Sequence, residues 1–189
     1  MVLRALEAEE VKTLYDTALT RDFPAGECKP LAAIAGLMAR GLYEPLEMRE
    51  RGGRAAYAFQ TVLPGCPSAL VDYFAVEPPL RGGGVGTRAL RALAGRYAGR
   101  CDTLLLECEH PAEAPDPAAA RRRIGFYLRA GARATALESR VFGCRYLILA
   151  LPCCAAPRPD AALCADLKIL YRAMVPAPYA RGSVLFWGE

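Results

Sequence analysis

The residues with the plainest chemical potential lie mid-chain, where Arg81-Gly82-Gly83-Gly84-Val85-Gly86-Thr87 sets glycines at the start of an amphipathic pattern of Val85, Leu90, Leu93 and Tyr97. Glycine has no Cβ to keep a ligand off the main chain, and the unpaired N–H groups of a first helical turn attract anions. The expected guest is a phosphate or diphosphate. A P-loop is excluded, because no lysine follows these glycines. A dinucleotide fingerprint is a closer rival: Gly84-Val85-Gly86-Thr87-Arg88-Ala89 fits G-x-G-x-x-A, and Glu107 follows at about the required twenty residues, which would imply a nicotinamide cofactor. Against it stands the connection from Glu77 to Gly83, too long for the tight strand-to-helix turn of that motif.

The elements that hold this loop are also legible. Leu70–Val76 is an apolar, aromatic and β-branched run, the profile of a buried strand, and Pro78-Pro79 ends it because neither residue donates a ladder hydrogen bond. After the helix, 103–109 reads as a second strand, parallel to the first because a helix crosses over between them. Glu107 and Glu109 lie two apart on it and share a face, while Cys108 points the other way.

Arg81-Gly82-Gly83-Gly84-Val85-Gly86, preceded by Ala75-Val76-Glu77-Pro78, resembles motif A of the GNAT superfamily of N-acetyltransferases. Arg123-Ile124-Gly125-Phe126-Tyr127-Leu128-Arg129-Ala130-Gly131 is similar to motif B, with two departures: Ala132 replaces the usual Phe after Gly131, and Ala120 stands where many members carry Asn. The resemblance covers roughly 43–151 and implies a mixed α/β (α+β) fold. Its central sheet would have about six to seven strands, mainly antiparallel, with strands four and five parallel and splayed, flanked by helices. It further implies acetyl-coenzyme A as acyl donor, held by Phe74, Ala75 and Val76 on strand four and by Arg81, Gly82, Gly83, Gly84, Val85, Gly86 and Thr87. In place of the missing Asn, Arg122 or Arg123 would supply a phosphate partner. Tyr127 occupies the place of the acid that protonates the departing thiolate. Three carboxylates compete for the role of base: Glu107, matching a strand-five glutamate of some peptide acetyltransferases and favoured here, then Glu109 and Asp72. Glu27, Tyr43 and Tyr57 are expected to line the acceptor side. The implied reaction is direct transfer of an acetyl group to a primary amine of a small molecule or peptide; a degenerate acyl-coenzyme A sensor or scaffold is the alternative.

The rest of the chain supplies the frame. A helix is expected over 11–19, stopping before Phe23-Pro24, and a second over 31–38, opened by Pro30 and ended by Gly41. Tyr43–Arg49 and Ala55–Leu63 form a hairpin about Glu50–Arg54. Asp116-Pro117 opens a helix over 118–130, Arg133–Glu138 and Cys144–Leu151 form a closing hairpin, and Leu163, Leu167, Leu170, Tyr171 and Met174 describe a last helix. The chain reads as one domain over 1–189, with 160–189 as a C-terminal extension.

Composition narrows the classes. With 189 residues and 53% hydrophobic content the chain can bury a sizeable core. The net charge of +4 comes almost wholly from arginine, without an aromatic-interleaved basic run, so no nucleic-acid partner is expected. The 8 cysteines show no C-x-x-C pair, and one histidine cannot complete a common zinc set, so no metal is expected. No signal-peptide or membrane-spanning pattern is present, which predicts a soluble, cytoplasmic protein, monomeric or a homodimer, with no membrane partner.

Overall fold

In the computed structural model, which describes residues 1–154, 156–176 and 182–188, one sheet of 8 strands has the order β1-β2-β3-β4-β5-β7-β6-β8. The strands are β1 (Val2–Ala5), β2 (Tyr43–Glu50), β3 (Gly53–Thr61), β4 (Ser68–Val76), β5 (Thr103–Glu109), β6 (Arg133–Val141), β7 (Cys144–Pro152) and β8 (Val184–Trp187). β4 and β5 are parallel, and every other pairing among the described residues is antiparallel. The sheet exceeds the expected six to seven strands because β1 and β8, at 4 residues each, are too short to show a period. Of the extension expected over 160–189, residues 177–181 and 189 lie outside the described residues, as does residue 155.

The helices are α1 (Ala8–Leu14), continuing through a π-helical turn (Tyr15–Leu19) into α2 (Thr20–Asp22), then α3 (Leu31–Ala39), α4 (Val85–Tyr97), α5 (Pro117–Arg129) and α6 (Asp160–Met174). All but the short α2 bury apolar residues on the sheet. Leu14, Ile34 and Leu167, from α1, α3 and α6, share one core with Tyr57, Phe59 and Leu70 of the strands. Leu90, Leu93 and Tyr97 of α4 and Tyr127 of α5 build the other with Leu104 and Leu149. The sheet is thus covered on both faces.

Local chemistry fixes the ends of α5, which carries the second motif. The Asp116 carboxylate accepts from the N–H groups of Ala118 and Ala119 at 2.9 Å each, Pro117 takes the first helical position where no N–H is needed, and Gly131 turns the chain away at φ +110°. The helix ends are therefore set by side chains and glycine, and its rotation by burial of Ala120 and Tyr127.

Candidate active site where two parallel strands part

β4 and β5 pair from Ser68↔Thr103 to Val71↔Leu106, and there the ladder stops. Beyond it β4 stays with β3 and β5 stays with β7, Glu107 opposite Ile148 and Glu109 opposite Tyr146. The cause is written into β4: the register against β3 passes from Phe59↔Tyr73 to Gln60↔Val71, so Asp72 is an extra residue, a β-bulge. Bulges bend and twist the strand that carries them. The bulge also resets the alternation, turning Tyr73 and Ala75 to the α1/α3/α6 side and Phe74 and Val76 to the α4/α5 side. Past the bulge, β4 has no strand on its β5 side.

On the α4/α5 side a cavity of about 610 Å³ opens over Phe74, Ala75 and Val76, the glycine loop and α5. The loop is held open by backbone geometry: Gly82 and Gly84 have φ of +82° and +74°, a region that favours glycine. Gly84 is the N-cap of α4. Among the described residues no protein acceptor meets the main-chain N–H groups from Gly82 to Thr87; the first bond into the helix is Arg88 N–H to the Gly84 carbonyl at 3.2 Å. Arg81, Arg122, Arg123 and Arg129 border the same cavity. A row of free amides ringed by guanidinium groups is an anion site. Gly86 answers to a different demand. A Cβ there would lie 2.9 Å from the Phe126 ring, so this position lets α5 approach α4.

Arg81 does not point at the loop it opens. Its Nε donates to the Val76 carbonyl and its Nη2 to Asp22, both at 2.9 Å. Asp22 also accepts from Arg21 and from the Tyr57 hydroxyl. Burial works against the Asp22 charge, but these bonds from Arg21, Tyr57 and Arg81 together hold its carboxyl below the usual range.

The other side of the parting holds a cavity of about 350 Å³ between the loop 23–30, the β6–β7 turn and α6. Phe23, Phe74, Arg123 and Tyr127 border both cavities, so the two meet at the split between the strands. Tyr127 is 7% exposed, and its hydroxyl makes no hydrogen bond among the described residues. Burial, with Cys108 nearby, pushes its pKa up, so the hydroxyl keeps its proton. Phe74 stacks on Phe126 at 6.2 Å between centroids and 14° between planes.

Glu107 is the first β5 residue beyond the ladder, and it faces this second cavity. Its two oxygens accept from the hydroxyls of Ser139 at 2.9 Å and Tyr171 at 2.7 Å. Burial raises its pKa above the ordinary carboxyl value, partly offset by those two bonds. Neither donor is charged. Glu27 lines the same cavity, and burial with the nearby Glu109 carboxylate raises its pKa, Arg123 opposing.

The remaining sequence candidates have other partners. Asp72 lines the acceptor cavity, but its Oδ2 is taken by Lys29 Nζ at 2.5 Å and by the Tyr43 hydroxyl, an ion pair formed at the bulge. Glu109 pairs with Arg123 at 3.4 Å and does not border the cavity. Tyr43 and Tyr57 are core residues, 5% and 0% exposed, with hydroxyls on Asp72 and Asp22, and neither borders either cavity. Alternation along β2 and β3 puts them inward, but cannot tell core from cavity wall. Val85 is buried and contributes only its amide. Sequence reading missed Tyr171, Ser139, Asp22, Lys29 and Phe142. Of these, only Tyr171 carried a signal, as an aromatic on the stripe of the last helix.

No protein-family model matches the chain, and no curated protein matches it by sequence. Solved structures do match. A Bacteroides thetaiotaomicron protein assigned to the GNAT family of acetyltransferases superposes with a TM-score of 0.69 at 20% identity, over 92% of this chain and 98% of its own. The chain has the GNAT fold. The ribosomal-protein-S18-alanine N-acetyltransferase of Escherichia coli shares that fold at a TM-score of 0.60 and 21% identity, over 83% of this chain and 96% of its own. An aminoglycoside 6′-N-acetyltransferase solved with coenzyme A matches at a TM-score of 0.62 and 13% identity, over 84% of this chain and 100% of its own. The parallel fourth and fifth strands match the GNAT fold. No helix among the described residues is long and apolar enough to cross a membrane.

Proposed function

We propose that the protein transfers an acetyl group from acetyl-coenzyme A to a primary amine. The observation that carries this reading is the meeting of two cavities at Phe74 and Tyr127, one lined by free amides and arginines, the other by carboxylates. The amides of Gly82–Thr87 would hold the donor's diphosphate, with Arg122, Arg123 and Arg129 beside it. The unpaired edge of β4 from Phe74 to Val76 would take the pantetheine arm as an added strand. That places the thioester at the split, where a β4 amide stabilises negative charge on its oxygen.

Glu107 takes the proton from the bound ammonium, freeing the nitrogen lone pair. The nitrogen–carbon bond forms as the carbon–sulfur bond breaks, and Tyr127 gives its proton to the departing thiolate. Direct attack is favoured over a cysteine-bound acetyl. Burial pushes the Cys108 thiol up to about 12, and burial also raises Cys28 and Cys144, the two cysteines that border the acceptor cavity. Ser139 and Tyr171 act as positioning residues for Glu107.

The test is amine-dependent thiol release from acetyl-coenzyme A, read across a panel of primary amines. Binding of the donor without turnover on any amine would point instead to a sensor, and binding of a nicotinamide cofactor in its place would restore the dinucleotide reading. Tyr127→Phe should lower kcat about a hundredfold with donor affinity unchanged. Unchanged kcat would remove Tyr127 from proton transfer.

A further inference from the structure

The β6–β7 hairpin turns on Phe142 and Gly143, with Val141 paired to Cys144. Both turn residues have positive φ, +48° and +89°, the two-residue turn that Asn-Gly fits best and that a bulky side chain adopts only under strain. The chain makes the same turn once more, at Arg51-Gly52 between β2 and β3, with φ of +50° and +83°. There a polar residue stands in solvent, beside neither cavity. The turn itself therefore does not demand an aromatic. Phe142 is 62% exposed, among the most exposed large apolar side chains described, and it borders the acceptor cavity. Its N–H is tied to the Ser183 carbonyl at 2.7 Å, which fixes the turn against the strand beyond it. An unfavourable residue kept at a cavity mouth points to use there.

The rest of the cavity says what meets it. Phe23, Val141, Tyr146, Met174 and Val175 complete an apolar wall with Phe142. Among the cavity's carboxylates, Lys29 neutralises Asp72, and Glu109 just outside the lining is neutralised by Arg123. Glu27 and Glu107 are left without a cationic partner among the described ion pairs, and the first role falls to Glu107 as base. One ammonium group and an apolar body fit this division. A polycation with more charges than Glu107 and Glu27 can take would set the rest against the apolar wall, unpaired.

We propose that Phe142 is the specificity-determining residue of the acceptor cavity, and that the acceptor is a compact primary monoamine with an apolar, aryl-sized body. This rests on the acetyl-transfer reading. The probes are 2-phenylethylamine, ethylamine and spermidine with the full chain and acetyl-coenzyme A. Wild type should prefer 2-phenylethylamine in kcat/KM. Phe142→Asn should raise its KM about tenfold relative to that of ethylamine, leave the affinity for acetyl-coenzyme A unchanged, and raise Tm by about 2–4 °C as the turn relaxes. Phe142→Tyr, which keeps the ring, should keep the preference. A Phe142→Asn protein with the wild-type ratio of 2-phenylethylamine to ethylamine, or a wild type that prefers spermidine, overturns the proposal. Should no amine release thiol, the transfer reading fails by itself. Calorimetry of 2-phenylethylamine with the coenzyme A-loaded protein then decides this one: binding weakened about tenfold by Phe142→Asn supports it, and no binding or equal binding overturns it.

Discussion

Glu107→Gln is expected to lower kcat by about a hundredfold or more while leaving the affinity for acetyl-coenzyme A as it was. The side chain sits at the first β5 position past the ladder, in the acceptor cavity, and the donor's cradle lies on the other side of the split. Burial raises its pKa from the ordinary carboxyl value towards the range in which a base works best near neutrality. Wild-type turnover should therefore rise with pH through this raised pKa, and the Gln variant should lose that limb. A wild-type profile in the variant would hand the proton to water.

The same shift makes a claim about stability, with a definite sign. A folded-state pKa above the unfolded value means that the native protein binds this proton more tightly, so the group's contribution is fully present at low pH. It declines as pH rises from the ordinary carboxyl range through the raised folded value. Gln carries no such loss, and the hydroxyls of Ser139 and Tyr171 can each donate to or accept from its amide. Glu107→Gln should thus melt above wild type at neutral pH, with the gap closing in acid. Loss of rate with gain of stability is the signature of a group retained for chemistry. Equal melting at every pH would mean that Glu107 is no less solvated than an exposed carboxyl.

Gly84→Asp should weaken acetyl-coenzyme A binding about a hundredfold or more, at a cost of a few degrees in Tm from the positive φ. Gly84 caps α4 at φ +74°, a conformation that Asp tolerates better than most residues, and an added Cβ would meet only the Arg88 guanidinium at an ordinary 3.5 Å. The backbone strain is modest for Asp, and the fold has room for the side chain. The anion site does not, because a carboxylate there occupies the amides meant for the diphosphate and repels its charge. Titration calorimetry reads the affinity and a thermal melt the Tm, and unchanged affinity would take the glycine loop out of donor binding. Gly86 offers the contrast: a side chain there collides with the Phe126 ring, so Gly86→Val should cost stability first.

Much of this frame was legible in the sequence because its signals are local. Within the stretch from Leu70 to Tyr97 the pattern changes from a short apolar run to prolines, then glycines, then helical spacing, and that succession fixes strand, loop and helix in order. Asp116-Pro117 and Gly131 bracket α5 for equally local reasons. What stayed hidden depends on distant pairing. The bulge at Asp72 exists only relative to β3, and it is what turns Tyr73 away from Val71's face and sets Asp72 beside Lys29. Tyr43 and Tyr57 read as cavity aromatics, since nothing in an alternating strand distinguishes a packed face from a hollow one. Tyr171 reaches Glu107 across 64 residues of sequence and Ser139 across 32, distances that no local pattern encodes. Phe142 was obscured because the turn it occupies normally announces itself through Asn-Gly.

A crystal structure of the protein grown with acetyl-coenzyme A measures the central claim most directly. The expected result places diphosphate oxygens within hydrogen-bond distance of the main-chain amides of Gly82–Thr87, the pantetheine arm along Phe74–Val76, and the thioester between Glu107 and Tyr127. A donor bound elsewhere on the surface, or β4 and β5 zipped together past Val71 and Leu106 with no room between them, would contradict it.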